Sequence, residues 1–222
     1  MIVLDAVLSA AEVADMRGVL AGASWASGRD TAGWQAAGVK ENGQLVESDP
    51  LARALGDQVL AALERCKPFI AAALPLRVYP PMFNRYAGGQ AFGAHVDTAI
   101  RQVPWAPARV RADLSATLFL SEPDSYDGGE LIVEDETGAR AAKLPAGSMV
   151  LYGAGTVHRV APVTRGERLA AFTWVQSMVR DTGQRELLLE LDRGIQVAAA
   201  ANSETVRLTG VYHNLLRRWA DC

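Results

Sequence analysis

The stretch SMVLYGAGTVHRVAPVTRGERLAAFTWV, residues 148–175, sets how the rest of the chain is read. It holds three short runs rich in β-branched, aliphatic and aromatic residues: Ser148–Tyr152, Val157–Val160 and Arg168–Val175. Gly and Pro punctuate the intervals between them, the pattern of short strands joined by turns. Moving outward, the same grammar continues upstream through Leu76–Tyr79, Met82–Tyr86, Phe92–Val96, Ala112–Leu120 and Glu130–Glu134. Short strands in succession, with no helical segments between them, argue against a βαβ sheet and for an all-β barrel or jelly roll. The expected core is a double-stranded β-helix.

The flanks read differently. Met1–Asp5 suggests a short strand, and Ser9 followed by Glu12 is a capping-box signature for a helix over Ala10 to about Leu20. Residues 24–48 are rich in Gly, Ser and polar side chains, and are expected to hold short strands joined by turns, one at Asn42-Gly43. Asp49-Pro50 supplies a cap and a first-turn proline for a helix running to about Cys66. After Ser177 helical spacing returns. Asp181 caps a segment with Leu187, Leu188, Leu191 and Ile195 on one face, and a second segment, Ser203–Trp219, aligns Val206, Tyr212, Leu215, Leu216 and Trp219. The expected organisation is a mainly β domain over residues 1–177, its core at about 74–177, with supporting N-terminal helices. A C-terminal helical extension over 178–222 follows, either covering the barrel or making a homodimer contact.

Composition narrows the function classes. The chain has 222 residues, half of them hydrophobic and 21% charged, enough for one well-filled core. A net charge of −3 with scattered basic residues gives no footprint for nucleic acid. Two cysteines, Cys66 and Cys222, support neither a disulfide framework nor a zinc site and suit a reducing cytoplasm. The N-terminus lacks a basic n-region and no apolar run approaches the ~20 residues needed to cross a bilayer, so a soluble protein without a membrane partner is expected.

The chemistry concentrates in few residues. Of three histidines, His95 lies two residues before Asp97, and on an extended strand such a pair projects to one face. His158 follows 63 residues later in another expected strand, and Arg168 ten residues beyond that. Two imidazoles and a carboxylate make a facial triad that leaves three adjacent positions open on an octahedral ferrous ion. Two open positions suit a chelating 2-oxo acid and one suits O₂. A chelated dicarboxylate projects its second carboxylate away from the metal, where a guanidinium fork at Arg168 matches it bidentately. Arg168 is expected to open the last strand, adjacent to the strand of His158 if the strands meander. His213 has no acidic neighbour and reads as structural. Asp113 reads as a surface or supporting carboxylate, and Gly128-Gly129-Glu130 as a turn opening a strand.

These residues resemble the 2-oxoglutarate/iron dioxygenase superfamily, and within it the bacterial PKHD-type hydroxylases of the prolyl 4-hydroxylase-like branch. The similarity runs through Val39-Lys40-Glu41-Asn42-Gly43-Gln44-Leu45, Asn84-Arg85-Tyr86, Gly88-Gly89 and Phe92–Asp97. It continues through Ser115–Pro123, Gly128–Leu131, His158–Arg168, Trp174–Ser177 and the Arg185–Asp192 segment. The resemblance implies Fe(2+), 2-oxoglutarate and O₂, with L-ascorbate (vitamin C) required or stimulatory. It implies a hydroxylase that releases succinate and CO₂. It also implies that Tyr86 lines the 2-oxoglutarate pocket. Some relatives supply a tyrosine hydroxyl to the far carboxylate near Phe119; since Phe119 has none, Thr117 or Tyr86 would substitute. The expected substrate is a small molecule or a protein side chain. Residues 98–111 follow the metal motif and form a candidate lid, with Arg101 and Trp105 as candidate substrate contacts. The main rival is a non-catalytic cupin-like module that binds a metal or small molecule; a metal-dependent isomerase or hydrolase on the same barrel is another.

Overall fold

Alternation along the strands builds the molecule in layers, as a computed structural model describing residues 1–31, 37–135 and 138–221 shows; Cys222 lies outside them. The strands are β1 (Ile2–Leu4), β2 (Ala26–Ser27), β3 (Gly43–Gln44), β4 (Pro75–Val78), β5 (Met82–Ala87), β6 (Phe92–His95), β7 (Ile100–Gln102) and β8 (Arg109–Arg111). They continue as β9 (Leu114–Phe119), β10 (Asp127–Gly128), β11 (Leu131–Asp135), β12 (Gly138–Ala142), β13 (Met149–Gly153), β14 (Val157–Val160), β15 (Val163–Arg165) and β16 (Glu167–Ser177). An eight-stranded sheet runs β1-β13-β9-β16-β5-β3-β2, with β4 also on β16. A four-stranded sheet runs β12-β11-β14-β6. Together they form the expected jelly roll.

Period two decides what each face of the large sheet covers. Leu114, Ala116 and Leu118 of β9, Met149 and Leu151 of β13, and Leu169 and Ala171 of β16 face outward. They bury Met16 and Leu20 of the helix Ala10–Ala21 and Leu55 and Val59 of the helix Pro50–Arg65. The opposite face turns Tyr86, Phe119, Val150 and Tyr152 toward Leu131, Val133 and Val160 of the smaller sheet. The functional cavity opens within this second layer.

The helix caps follow the sequence. Ser9 and Glu12 form a reciprocal capping box, and Asp49 Oδ1 accepts from the Leu51 N–H at 2.9 Å ahead of Pro50. Among the described residues no helix is long and apolar enough to cross a membrane.

Four expectations are corrected. Asn42-Gly43 is not a hairpin turn: Gly43 pairs with Ser27 and with Arg85 inside the large sheet. Glycine fits there because a Cβ would stand 3.1 Å from Trp25 Cβ. The strands of His158 and Arg168 are not neighbours. β14 pairs with β11 and β6, whereas β16 lies in the other sheet, because β15 and the left-handed Gly166 (φ 70°) carry the chain across. In the helix Thr182–Ala200 the buried residues are Arg185, Leu188 and Leu189, while Leu187 is 61% exposed. Val206 is exposed as well, but Tyr212, Leu215, Leu216 and Trp219 of the helix Val206–Trp219 pack on Leu74, Val179 and Leu188 as expected. Residues 98–111 contain the antiparallel pair β7–β8, in which Val110 of β8 is buried against Tyr79, Met82 and Trp174.

Candidate active site

His158 on β14 stands directly opposite His95 on β6. The next registered pair is Val160 with Phe92, so a two-residue step on β14 faces a three-residue step on β6. That is a β-bulge. In a regular strand Phe92 and His95 would point to opposite faces. The bulge turns both inward, and their rings stack with centroids 3.6 Å apart and planes 14° off parallel. Gly93 sits in the bulge because Val39 approaches closely there. Its N–H donates to Val39 O at 2.8 Å, and a Cβ would fall 2.7 Å from Val39 Cβ.

Hydrogen bonding fixes the tautomers. His95 Nδ1 lies 2.8 Å from Gly93 O, and His158 Nδ1 lies 2.9 Å from Thr156 O. A carbonyl only accepts, so each Nδ1 carries its proton and, in the neutral ring, each Nε2 keeps a lone pair. Burial, reinforced by neighbouring His158, pushes the His95 pKa down to about 4, which keeps that ring neutral.

Asp97 completes the group from just beyond β6. Its Oδ2 lies 3.6 Å from His158 Nε2 and accepts a 2.5 Å hydrogen bond from Ser115 Oγ on β9. One ligand atom from each of His95, Asp97 and His158 lies within 4.8 Å of the others. The donor set is two imidazole nitrogens and one carboxylate, oriented by a carbonyl, a carbonyl and a hydroxyl.

Arg168 lies in the same cavity, six residues along β16 from Trp174, a strand rise of roughly 20 Å. It is 1% exposed, and its guanidinium carbon sits 5.4 Å from the Tyr86 ring centre and 5.1 Å from that of Phe119. Its Nε and Nη1 are buried without a hydrogen-bond partner. The Tyr126 hydroxyl is also buried and unpartnered; burial raises its pKa and the Arg168 charge opposes the rise. Gly129, at φ 69°, makes room for both, since a Cβ there would lie 2.9 Å from Tyr126 Cε2 and 3.0 Å from Arg168 Cδ.

The other candidates divide. Tyr86 and Thr117 line the cavity. Burial pushes the Tyr86 hydroxyl up to about 12, so it stays protonated as a potential donor, and Thr117 hydrogen-bonds the Tyr152 hydroxyl. Arg101 reaches the cavity, stacked 3.5 Å from the Trp174 ring centre. Trp105 does not line it; its ring lies under Arg53, 4.4 Å away, beside a separate depression. Asp113 pairs with Arg111 and accepts from the Ser177 N–H, a structural latch. His213 stays exposed on the last helix, edge-on to Tyr212.

Sequence reasoning did not single out Lys40, Asn84, Ser115, Tyr126 or Tyr152 as site residues. For Ser115 a signal existed: polar Ser115 and Thr117 alternate with Leu114, Ala116 and Leu118 on β9, which marks an inner polar face. Tyr126 sits in an irregular loop and carried no such signal.

Comparison with known proteins agrees with this geometry. Residues 81–176 match the family described as the 2OG-Fe(II) oxygenase superfamily, and residues 182–221 match the PKHD-type hydroxylase C-terminal domain. A PKHD-type hydroxylase of Burkholderia thailandensis is 57% identical over 225 aligned residues, covering 100% of this chain and 99% of that one. The chain belongs to the PKHD-type hydroxylases. Another member of the family, from Bordetella pertussis, is 56% identical over 95% of both chains. Among solved structures, a Pseudomonas putida prolyl-4-hydroxylase aligns with TM-score 0.50 at 21% identity, covering 79% of this chain and 91% of that one. A non-heme alpha ketoglutarate dependent carbocyclase from nogalamycin biosynthesis aligns with TM-score 0.57 at 18% identity, covering 80% and 79%. These structures share the fold. As a PKHD-type hydroxylase the protein is a 2-oxoglutarate-dependent dioxygenase, and the family implies Fe(2+) as its cofactor with 2-oxoglutarate and O₂ as co-substrates.

The residues fit those groups. Two imidazoles and a carboxylate suit a ferrous ion with three adjacent positions left open. The unpartnered Arg168 nitrogens leave a buried charge that a carboxylate would satisfy.

Proposed function

We propose that this protein hydroxylates its substrate at an iron held by His95, Asp97 and His158, with Arg168 gripping the far carboxylate of 2-oxoglutarate. The observation that carries the reading is one cavity with the three ligand atoms at one place and an unpaired buried guanidinium at another. When bound, iron and 2-oxoglutarate supply the oxidising chemistry, in which O₂ is consumed, the co-substrate leaves as succinate and CO₂, and one oxygen enters the substrate as hydroxyl. The protein's own part is positioning. The Nδ1 protons on His95 and His158 orient both rings, and the Ser115 hydroxyl orients Asp97. Tyr86 and Phe119 flank the guanidinium and keep water from it. Tyr86 and Thr117 are the hydroxyls first proposed as second partner for the far carboxylate. The Tyr126 hydroxyl, which also lies beside Arg168, is a third candidate for that role. No protein nucleophile or general base is required.

L-ascorbate as a reductant, a cytoplasmic setting, and a small-molecule or protein side-chain substrate belong to the same proposal. The reading is tested by anaerobic titration of wild type and His95→Ala with Fe(II) and 2-oxoglutarate. A metal-to-ligand charge-transfer band in wild type, lost in the variant, is expected. A wild type that develops no band overturns the assignment.

A further inference from the structure

Arg168 sits near the start of β16, where that strand has a full neighbour on one side only. β5 pairs with it there, Tyr86 standing opposite Arg168. On the other side the ladder with β9 stops at Phe119 and Ala170, because β9 itself ends at Phe119. The Leu169 N–H and the Glu167 carbonyl on that side need other partners.

One side chain supplies both. Ser121 Oγ accepts from the Leu169 N–H at 2.9 Å and donates to Glu167 O at 2.9 Å. Serine suits the place because a hydroxyl is donor and acceptor at once. The Leu120 N–H adds a bond to Leu169 O at 3.0 Å. A single hydroxyl thus grips the strand immediately before and immediately after Arg168. Ser121 is 1% exposed, so bulk water does not compete for these bonds.

The chain beyond Ser121 is fastened over the same strand end. Lys143 Nζ donates to Tyr126 O at 2.8 Å and lies 4.3 Å from the Tyr126 ring centre, holding that ring beside the Arg168 guanidinium. β10 pairs with β15, and Arg165 Nε and Nη2 meet the Asp127 carboxylate at 2.7 and 2.9 Å. Gly166, at φ 70°, permits the close approach, since a Cβ there would fall 2.2 Å from Ser125 O. The Arg165 pair is exposed and contributes little energy. The buried Ser121 bonds are the inner fastening.

Bidentate pairing of a guanidinium with a carboxylate is directional, and a misplacement of about 1 Å can cost up to about 100-fold. We propose that Ser121 is a positioning residue for the co-substrate: by bracketing Arg168 it fixes where the guanidinium meets the far carboxylate of 2-oxoglutarate. This rests on the preceding assignment of Arg168 to that carboxylate. Ser121 lies outside the cavity wall and acts through Arg168.

Ser177 provides the comparison. It lies at the far end of the same strand and is 0% exposed. Its Oγ likewise accepts from a backbone N–H, that of Val179 at 3.2 Å, and donates to a carbonyl, Leu74 O at 3.3 Å. Ser121→Ala and Ser177→Ala remove similar bonds, and both should lower the urea midpoint. Anaerobic titration of the Fe(II)-loaded protein with 2-oxoglutarate, read from the charge-transfer band, separates them. Ser121→Ala is expected to raise the half-saturating concentration about tenfold, and Ser177→Ala to leave it unchanged. The band maximum should not move in either. Ser121→Cys, similar in volume but a weak donor and acceptor, covers the case in which Ser121→Ala does not fold, and should shift the titration the same way by less. An unchanged half-saturating concentration in Ser121→Ala, or in Ser121→Cys where the alanine variant does not fold, overturns the proposal. So does an equal rise in Ser177→Ala, which would trace the effect to lost stability. A wild type without the band, or an Arg168→Met variant that binds 2-oxoglutarate normally, removes the Arg168 assignment and this proposal with it. Normal wild-type binding that is indifferent to Ser121 defeats this proposal alone.

Discussion

Two arginines are almost equally buried here and behave as opposites. Arg185 is 3% exposed and is held on every side: Nη1 donates to Val179 O at 2.8 Å and to Arg180 O at 2.6 Å, and Nη2 donates to Thr182 Oγ1 at 2.9 Å. Arg168 is 1% exposed, yet Nε and Nη1 have no partner. Burial alone therefore does not mark a functional residue. A charge whose hydrogen bonds are all made locally is part of the architecture. A charge buried beside open space with its donors unused is waiting for a ligand.

Substitution is the direct way to break that contrast. Arg168→Met is expected to weaken 2-oxoglutarate binding by about 100-fold or more, the loss of a bidentate charge-assisted pair worth roughly 3 kcal/mol. Its urea midpoint without ligand should hold or rise, because an unpaired buried charge is removed. Unchanged 2-oxoglutarate affinity, read from the charge-transfer titration, would place Arg168 with Arg185. Arg185→Met should do the reverse. It strands two carbonyls and a hydroxyl and should cost about 2 kcal/mol in urea unfolding, while the half-saturating 2-oxoglutarate concentration stays within error of wild type.

A third effect, read against pH, concerns the metal end. His95 has its folded pKa depressed to about 4 from an ordinary 6.5. The unfolded chain then binds the proton first, so this histidine's contribution to stability is full above about pH 6.5 and is lost as pH falls toward 4. Metal-free protein should show a falling urea midpoint across that window. His95→Gln should flatten the fall, and equal slopes for both proteins would show that burial does not hold His95 neutral.

How much of this was legible before the fold was known depended on the kind of information each feature carries. His95, Asp97, His158 and Arg168 stood out because histidine is scarce in the chain and the spacing falls on strand-like runs. The strands themselves were legible because Gly and Pro bound them. The relation between β14 and β16 was not, since local periodicity says nothing about which sheet a strand joins. The phase of the Thr182–Ala200 helix was misjudged because Leu187, Leu188 and Leu189 are consecutive, and the deciding residue was a buried arginine. Lys40 stayed hidden for a similar reason. Its inward turn comes from a strap, residues 39–45, that pairs with both sheets, a tertiary arrangement with no short-range signature.

The bulge at Gly93 and Ala94 has a consequence for how this metal centre tolerates change. Phe92 and His95 share a face only because the bulge absorbs one residue, so the effect of a length change depends on where along the strands it falls. Removing Ala94 would match the step on β6 to the two-residue step on β14, so the strand would pair regularly and the first imidazole would still face inward. A one-residue deletion between His158 and Val160, where β14 has no bulge, should by contrast put those two side chains on opposite faces and break up the ligand group.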